Sequence, residues 1–216
     1  MLRQGRTTPA QSRALEQLYP RHGIPFAAHP IAADSIFARV APLVLEIGSG
    51  MGETTIAIAK AHPEADFIAV EVHGPGVGSL LNAIERESLA NVRVMRHDAV
   101  EVLQQMIGDE SLAAIHLFFP DPWPKKRHHK RRLVQPDTVS LMAHKLSPGG
   151  VLHAATDWPD YAEHMQQVLS AEPLLEPAER GFTARPETKF ASRGARLGHP
   201  IRDLYFRRRQ RAPVAR

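Results

Sequence analysis

The sequence predicts an α/β fold built on a mostly parallel sheet with helices on both faces, and two observations support this. From residue 43 onward, short apolar runs alternate with longer segments of helical spacing, which is typical of strands joined by crossover helices. Most of these runs are largely apolar, as in the strands of a parallel sheet with both faces covered. A chain of 216 residues, 43% of them hydrophobic, suits one such domain with a substantial core.

Six apolar runs are the predicted strands. They are Leu43 to Ile47, Phe67 to Val70, Val92 to Met95, Ile115 to Phe119, Val151 to Thr156 and, near the end, Ile201 to Phe206. The predicted helices between them cover Glu53 to Ala61, the region of Leu80 to Glu85, Gln135 to Lys145 and Tyr161 to Leu169. The sequence from Ser147 to Gly150 is expected to be a turn that closes the third of these helices, and residues 172–179 are expected to be a loop.

The residues before the first strand form a separate N-terminal region. Arg3 to Pro9 is a basic arm rich in turn formers. Thr8 followed by Pro9 is typical of a helix start and predicts a short helix through Leu18. We therefore expect one domain, residues 1–216, in three parts: an N-terminal arm and helix (1–40), a cofactor-binding core (41–170) and a C-terminal substrate-binding segment (171–216).

Composition and charge narrow the functional classes. The chain has no cysteine, which excludes disulfides, thiolate metal sites and cysteine nucleophiles and fits a reducing compartment. No apolar run approaches membrane-spanning length and the first ten residues resemble no secretory signal, so we expect a cytoplasmic protein without membrane contact. Residues 1–124 hold 9 Lys and Arg against 14 Asp and Glu, whereas residues 125–216 hold 18 against 9. The basic half indicates a polyanionic partner.

A carboxylate stands at the end of each of the five central strands. These acids are Glu46, Glu71, Asp98, Asp121 and Asp157. One such acid is readily explained as the cap of a following helix. Five at equivalent positions favour a shared site, because ligands of open α/β sheets bind beyond the carboxyl ends of the strands.

The glycine-rich loop after the first strand indicates which ligand this site takes. Gly48, Gly50 and Gly52 are spaced to let the backbone approach a ligand closely. The spacing is not the G-x-G-x-x-G of dinucleotide sites, because position 53 is Glu. Glu46, just before the glycines, would repel a pyrophosphate and attract a cation. The sulfonium and amino groups of S-adenosylmethionine provide such a cation.

Two further acids fit the rest of S-adenosylmethionine. Glu71 lies 19 residues beyond Gly52, the usual distance for a carboxylate that accepts ribose hydroxyls. Asp98 is then placed to accept the adenine amino group. A nicotinamide dinucleotide site is the less favoured alternative. His128 and His129 lack the spacing and companion ligands of a metal site, so we predict no metal.

Together these residues resemble the bacterial tRNA (guanine-N7-)-methyltransferases, the TrmB family. The resemblance runs from about Arg3 to Arg209, and its most specific parts are the segment Phe119-Pro120-Asp121-Pro122-Trp123-Pro124-Lys125 and the C-terminal residues Thr188-Lys189-Phe190 with Arg193-Gly194. It implies a class I S-adenosylmethionine-dependent methyltransferase with a Rossmann-like, mostly parallel seven-stranded sheet. It further implies methyl transfer to N7 of the variable-loop guanine at tRNA position 46, by a monomer or homodimer.

The resemblance assigns roles residue by residue. The cofactor positions are Glu46, Gly48, Gly50, Glu71, Asp98 and Asp121. The substrate positions are Lys125, Asp157, Thr188, Lys189, Phe190 and Ala191. The RNA-contacting stretch is Arg127, His128, His129, Lys130, Arg131 and Arg132. Two residues depart from the pattern: many members have Glu at the position of Ala191, and Pro124 replaces a residue that is often His.

The chemistry of guanine N7 singles out Asp121 as the catalytic residue. N7 carries a free lone pair, so its methylation needs orientation and no general base. The ring gains positive charge, which a nearby carboxylate stabilises. Three alternatives stay open. One is methylation of an exocyclic amino group of another RNA base, suggested by the likeness of Asp121-Pro122-Trp123 to the Asp-Pro-Pro-aromatic loop. The others are an RNA-binding module without activity and a small-molecule methyltransferase.

Overall fold

The computed structural model describes residues 6–186 and 200–210, and a seven-stranded sheet organises them. The strands are β1 (Leu43–Ile47), β2 (Asp66–Val70), β3 (Val92–Met95), β4 (Leu112–Phe118), β5 (Leu146–Thr156), β6 (Leu175–Pro177) and β7 (Arg202–Arg208). Their order is β3-β2-β1-β4-β5-β7-β6. The first five strands are parallel, and β7 runs antiparallel to both β5 and β6. The predicted fold class is confirmed.

Eight α-helices flank the sheet in the described part of the chain. They are α1 (Pro9–Gln17), α2 (Tyr19–His22), α3 (Ala33–Phe37), α4 (Glu53–Ala61), α5 (Gly74–Arg86), α6 (Ala99–Gln105), α7 (Pro136–Lys145) and α8 (Pro159–Ala171). A 3₁₀ turn covers Lys126–Arg131. The predicted start of α1 is confirmed: the Thr8 side chain accepts from the Gln11 amide, and the Gln11 side chain accepts from the Thr8 amide, which completes a capping box.

The core lies on both faces of the sheet because successive strand residues point to opposite sides. On one face Leu45 and Ile47 pack with residues of α6, α7 and α8. On the other face Val44 packs with residues of α1, α4 and α5. The central strands are therefore covered on both faces, which is why their sequences are largely apolar.

The predicted turn at residues 147–150 is wrong, because β5 already begins at Leu146 and includes these residues. Its pairing with β4 shifts register between Leu112 and Ala114. At Gly150 an added Cβ would lie 2.9 Å from the Leu112 carbonyl oxygen, so glycine permits the close approach of the two strands. The expected loop at residues 172–179 likewise contains the short strand β6.

The strand order reverses between β1 and β4, and this is what positions the site. Connections from β1 lead outward to β2 and β3, whereas β4 starts the other half of the sheet. The loops that follow β1 and β4 therefore separate and leave a crevice at the carboxyl ends of the strands.

Candidate active site

The loop after β1 requires glycine at each of its three glycine positions. Gly48, Gly50 and Gly52 have φ angles of +74°, +55° and +84°, a region that residues with a Cβ rarely adopt. An added Cβ at Gly52 would also lie 2.6 Å from Leu80 in α5. The Gly48 amide donates to the Val70 carbonyl at 2.8 Å, which joins the loop to the end of β2.

Glu71, directly after β2, holds this loop in place. Its Oε2 accepts from the Gly50 amide and its Oε1 from the His73 amide, both at 2.8 Å. A carboxylate has about four acceptor sites, so these two bonds leave capacity for ligand hydroxyls. Glu71 is therefore both a support for the glycine loop and a candidate ligand contact.

Glu46 lies within β1 and is 3% exposed. Its Oε2 has no hydrogen-bond partner among the described residues. Burial raises the pKa of this carboxyl to about 7. A buried carboxylate oxygen without a partner is costly unless a ligand pairs with it, and Glu46 lines a cavity of about 220 Å³ together with the glycine loop. This arrangement fits the cationic end of S-adenosylmethionine.

Asp98 caps a helix, as a lone strand-end acid often does. Its Oδ1 accepts from the amides of Val100 and Glu101 in α6, at 2.8 and 3.3 Å. The predicted contact between Asp98 and adenine thus shares this side chain with a structural role. The residue before it, His97, stacks on Phe26 with ring centroids 3.7 Å apart.

Three of the five predicted acids line one cavity. Glu71, Asp98 and Asp121 face a space of about 420 Å³ beyond the carboxyl ends of the strands. Gly48, Phe118 and Phe119 line both this cavity and the smaller one beside Glu46. The two spaces therefore form one groove at the point where the strand order reverses. This groove brings together four of the five strand-end acids and the glycine loop, and Asp157 does not line it.

The turn that carries Asp121 has an unusual backbone. Phe119 and Trp123 have φ angles of +51° and +45°, and both are bulky residues for which this region is uncommon. The Phe119 amide donates to the Ala155 carbonyl at 2.7 Å. Strain of this kind persists only where the surrounding structure imposes it, and it concentrates at functional sites.

The predicted RNA-contacting stretch forms a short basic turn beside Asp121. Arg127 and Lys130 are exposed, and His128 and His129 are partly exposed. The Arg131 guanidinium lies 5.1 Å from the centroid of the Trp123 ring and lines the larger cavity. This turn, residues 125–131, presents positive charge at the mouth of the groove.

Arg132 is the exception in this stretch, because its side chain is only 1% exposed. It donates to the Pro122 carbonyl and forms an ion pair with Asp160. A guanidinium enclosed in this way is not presented to a phosphate backbone. We therefore leave Arg132 out of the proposed RNA contacts.

Two of the remaining predicted substrate residues, Lys125 and Asp157, can be placed in the structure. Lys125 is exposed and Asp157 is half-buried, and neither lines the two cavities. Thr188, Lys189, Phe190 and Ala191 lie outside the described residues. Within residues 6–186 and 200–210, no group of three His, Asp or Glu is placed to hold a metal ion. No helix in the same ranges is long and apolar enough to cross a bilayer.

Sequence reasoning missed a hydrogen-bond network that joins Arg185, Asp203 and His153. Arg185 lies three residues before Thr188. Arg185 donates to both carboxylate oxygens of Asp203, each at 2.9 Å. The buried His153 donates to the same carboxylate at 2.8 Å, and the Arg185 guanidinium lies 5.3 Å from the Phe119 ring centroid. No motif identified these partners, because they come from β5, β7 and a loop far apart in the chain.

Solved structures with the same fold include the 16S rRNA methyltransferase KamB, with a TM-score of 0.59, 15% identity and coverage of 82% of this chain and 92% of that one. Another is a 16S rRNA (adenine(1408)-N(1))-methyltransferase from Catenulisporales acidiphilia with its cosubstrate S-adenosylmethionine, with a TM-score of 0.53, 16% identity and coverage of 83% and 90%. A family model described as "Putative methyltransferase" matches residues 40–204. The solved structures share the fold, and the family model, which covers most of the chain, defines the protein as a methyltransferase.

Relatives identify the family within this class. A tRNA (guanine-N(7)-)-methyltransferase from Nitrosomonas eutropha is 59% identical over 210 residues, 95% of this chain and 94% of that protein. The enzyme of the same name from Bordetella parapertussis is 54% identical, over 95% and 83%. The chain belongs to the tRNA (guanine-N(7)-)-methyltransferase family.

Proposed function

We propose that this protein transfers a methyl group from S-adenosylmethionine to N7 of a guanine in tRNA, and that the guanine is the variable-loop residue at position 46. The observation that supports this most directly is the placement of Asp121. Its carboxylate lines the same cavity as Glu71 and Asp98, and a basic turn begins four residues later. Relatives that are 54–59% identical carry the corresponding name.

The groove residues hold the cofactor in this proposal. When bound, S-adenosylmethionine supplies an activated methyl group on a positively charged sulfur. The Glu46 carboxylate, whose Oε2 has no partner among the described residues, pairs with the cationic end of the ligand, which compensates for its burial. Glu71 accepts hydroxyl hydrogen bonds on its remaining lone pairs. Asp98 accepts a hydrogen bond from the adenine amino group in addition to those from the amides of α6.

Asp121 serves the substrate base. Guanine N7 needs no deprotonation, so the protein's task is to orient the base and to stabilise the positive charge that develops on its ring. A carboxylate at the groove mouth does both. Asp121 or Asp157 also accepts the N1–H and exocyclic amino donors of guanine, a pattern that adenine does not present.

The basic turn holds the tRNA backbone. Arg127, Lys130 and Arg131 are exposed beside the groove, and side chains of this kind bind phosphates and position a nucleic acid without reading its sequence. Lys125 and residues 188–191 are the proposed contacts to the substrate nucleotide. This role places the protein in the cytoplasm, where tRNA is modified.

The test uses two transcripts of one tRNA, one with guanine at position 46 and one with adenine there. Each is incubated with the protein and methyl-labelled S-adenosylmethionine, and the product is digested to nucleosides. We expect label in 7-methylguanosine from the first transcript and none from the second. Equal label in both transcripts would overturn the assignment of the methylated guanine to position 46. Label in a methylated adenosine or cytidine would support the amino-methyltransferase alternative. Cofactor binding without any transfer would support the RNA-binding alternative.

A further inference from the structure

Arg132 is among the most deeply buried charged side chains in the described chain, and it contacts four partners. Its Nε donates to the Pro122 carbonyl at 2.8 Å. Its terminal nitrogen pairs with Asp160 and lies 3.1 Å from His129 Nε2. The Cζ atom of the guanidinium lies over the Tyr161 ring, 4.7 Å from its centroid. A charged side chain buried to this degree depends on such contacts, since burying a charge without partners is costly.

These contacts join three segments of the chain: the turn that carries Asp121, the basic turn and the start of α8. The Pro122 carbonyl belongs to the residue between Asp121 and Trp123. His129 belongs to the basic turn. Asp160 lies in the first turn of α8, three residues after Asp157. Arg132 therefore connects the loop that carries the catalytic carboxylate to the RNA-facing turn and to the helix after β5.

The turn from Phe119 to Trp123 needs a stabilising contact from outside the turn. Trp123 adopts a φ of +45°, and a bulky residue stays in this region only when its surroundings impose it. The hydrogen bond to the Pro122 carbonyl acts on the residue immediately before Trp123 and immediately after Asp121. It is thus placed to fix the direction of both side chains.

Only arginine can make this set of contacts. Its rigid planar fork donates in several directions at once and stacks flat on an aromatic ring. The ammonium group of lysine is a point charge without that geometry. Substitution by lysine therefore preserves the charge while removing the arrangement.

We propose that Arg132 is a positioning residue of the methyl transfer. It fixes the turn that carries Asp121 and Trp123 through its hydrogen bond to the Pro122 carbonyl, and it does not contact the RNA. This inference rests on the proposed function for its kinetic consequence only. Its structural part, that Arg132 determines the conformation of the turn, can be measured without tRNA.

The kinetic test compares Arg132→Lys with Arg39→Lys. Arg39 is a matched control, because it donates to Asp66 and to the Ala65 carbonyl near the amino end of β2, the opposite end of the strands from the groove. For Arg132→Lys we expect kcat to fall about 10- to 100-fold, as misplacement of a reacting group by about 1 Å does. The KM for tRNA and the Kd for S-adenosylmethionine should change less than about twofold, since neither set of contacts includes Arg132. Arg39→Lys should leave all three constants unchanged.

A raised KM for tRNA with an unchanged kcat would overturn the proposal, because it would make Arg132 an RNA contact. An unchanged kcat and KM would overturn it as well. Asp160→Asn serves as a milder second variant in case Arg132→Lys folds poorly. This variant weakens the ion pair with Arg132 and should also lower kcat, by a smaller factor.

A spectroscopic test separates this inference from the proposed function. The chain has two tryptophans, so Trp158→Phe leaves Trp123 as the sole reporter. In that background, Arg132→Lys should increase quenching of Trp123 by acrylamide and Arg39→Lys should not. Equal quenching in all three proteins would overturn the positioning role even if the enzyme is active. If Arg132→Lys increases quenching but the wild type fails to methylate tRNA, the positioning role of Arg132 stands and the proposed function is overturned.

Discussion

The groove has two halves that are held by different kinds of contact: the proposed cofactor half around Glu46, Glu71 and Asp98, and the proposed substrate half around Asp121. In the cofactor half, Glu71 and Asp98 bond to backbone amides within three residues of themselves or in the adjacent loop. In the substrate half, the turn that carries Asp121 is held by Arg132 and lies beside Arg185, whose own partners come from other elements. The cofactor half is therefore preorganised by its own backbone, and the substrate half depends on side chains supported by distant parts of the fold.

This difference predicts how each half responds to substitution. Changes in the cofactor half should act on cofactor affinity and leave the rest of the fold in place. Changes in the substrate half should act on turnover or on tRNA binding without affecting the cofactor. The predictions below test that separation, beginning with the largest expected effect.

Asp121→Asn should give the largest loss. The amide keeps the shape of the side chain but removes the charge that stabilises the positively charged ring, so we expect kcat to fall about 100- to 1,000-fold. The Kd for S-adenosylmethionine, measured by calorimetry, should change only about twofold, since Glu46, Glu71 and Asp98 make the principal polar contacts. Unchanged turnover would remove Asp121 from the mechanism.

Glu46→Gln should weaken S-adenosylmethionine binding about 10- to 100-fold, because a buried carboxylate that pairs with a cation is replaced by a neutral amide. Its effect on the protein without cofactor has the opposite sign. The pKa of Glu46 is raised from 4.5 to about 7, so the wild type loses stability as pH rises through this interval, whereas the variant does not.

Urea unfolding at pH 5 and pH 8 measures this second effect. At pH 8 the variant should be more stable than the wild type, by up to about 3 kcal/mol. At pH 5, where Glu46 is largely protonated, the two proteins should differ little. Equal stability at both values would show that Glu46 is not buried as an unpaired acid.

The same separation explains what the sequence could predict. The strands, the glycine loop and the grouping of Glu71, Asp98 and Asp121 at one cavity could be predicted because each depends on short-range patterns: an apolar run, a φ requirement, a carboxylate at a strand end. The predicted RNA contact of Arg132 could not be corrected from sequence, since its burial depends on Asp160 and Tyr161 in a later helix. Strand β6 was missed because its three residues form a strand only through pairing with β7. The predicted turn at 147–150 ignored the register shift of β4 and β5.

Asp203→Asn should have an intermediate effect on the substrate half. Burial raises the pKa of Asp203, but hydrogen bonds from Arg185 and His153 outweigh it and hold the pKa below its usual value. The ion pair therefore stabilises the protein above about pH 4 and is lost as pH falls below that. Removing the charge leaves Arg185 with a weaker partner just before residues 187–199.

We expect this variant to raise the KM for tRNA about 5- to 10-fold, equivalent to the roughly 1 kcal/mol by which a charged hydrogen bond exceeds a neutral one. The Kd for S-adenosylmethionine should not change. A matched control is Asp109→Asn, which weakens the pair with Lys145 away from the groove and should leave the KM for tRNA at the wild-type value. A raised cofactor Kd in Asp203→Asn would contradict the separation of the two halves.

Lys130→Gln should give the smallest effect and the clearest dependence on salt. Lys130 is exposed on the basic turn, so the proposed role is contact with one phosphate. Losing one such contact should weaken tRNA binding about threefold and reduce the slope of log K against log salt by about 0.7–0.9. Lys60→Gln removes the same charge from the end of α4, where it pairs with Glu87, and should leave the slope unchanged. If both variants reduce the slope equally, tRNA responds to the net charge of the protein and not to the basic turn, because a specific phosphate contact at Lys130 has no counterpart at Lys60.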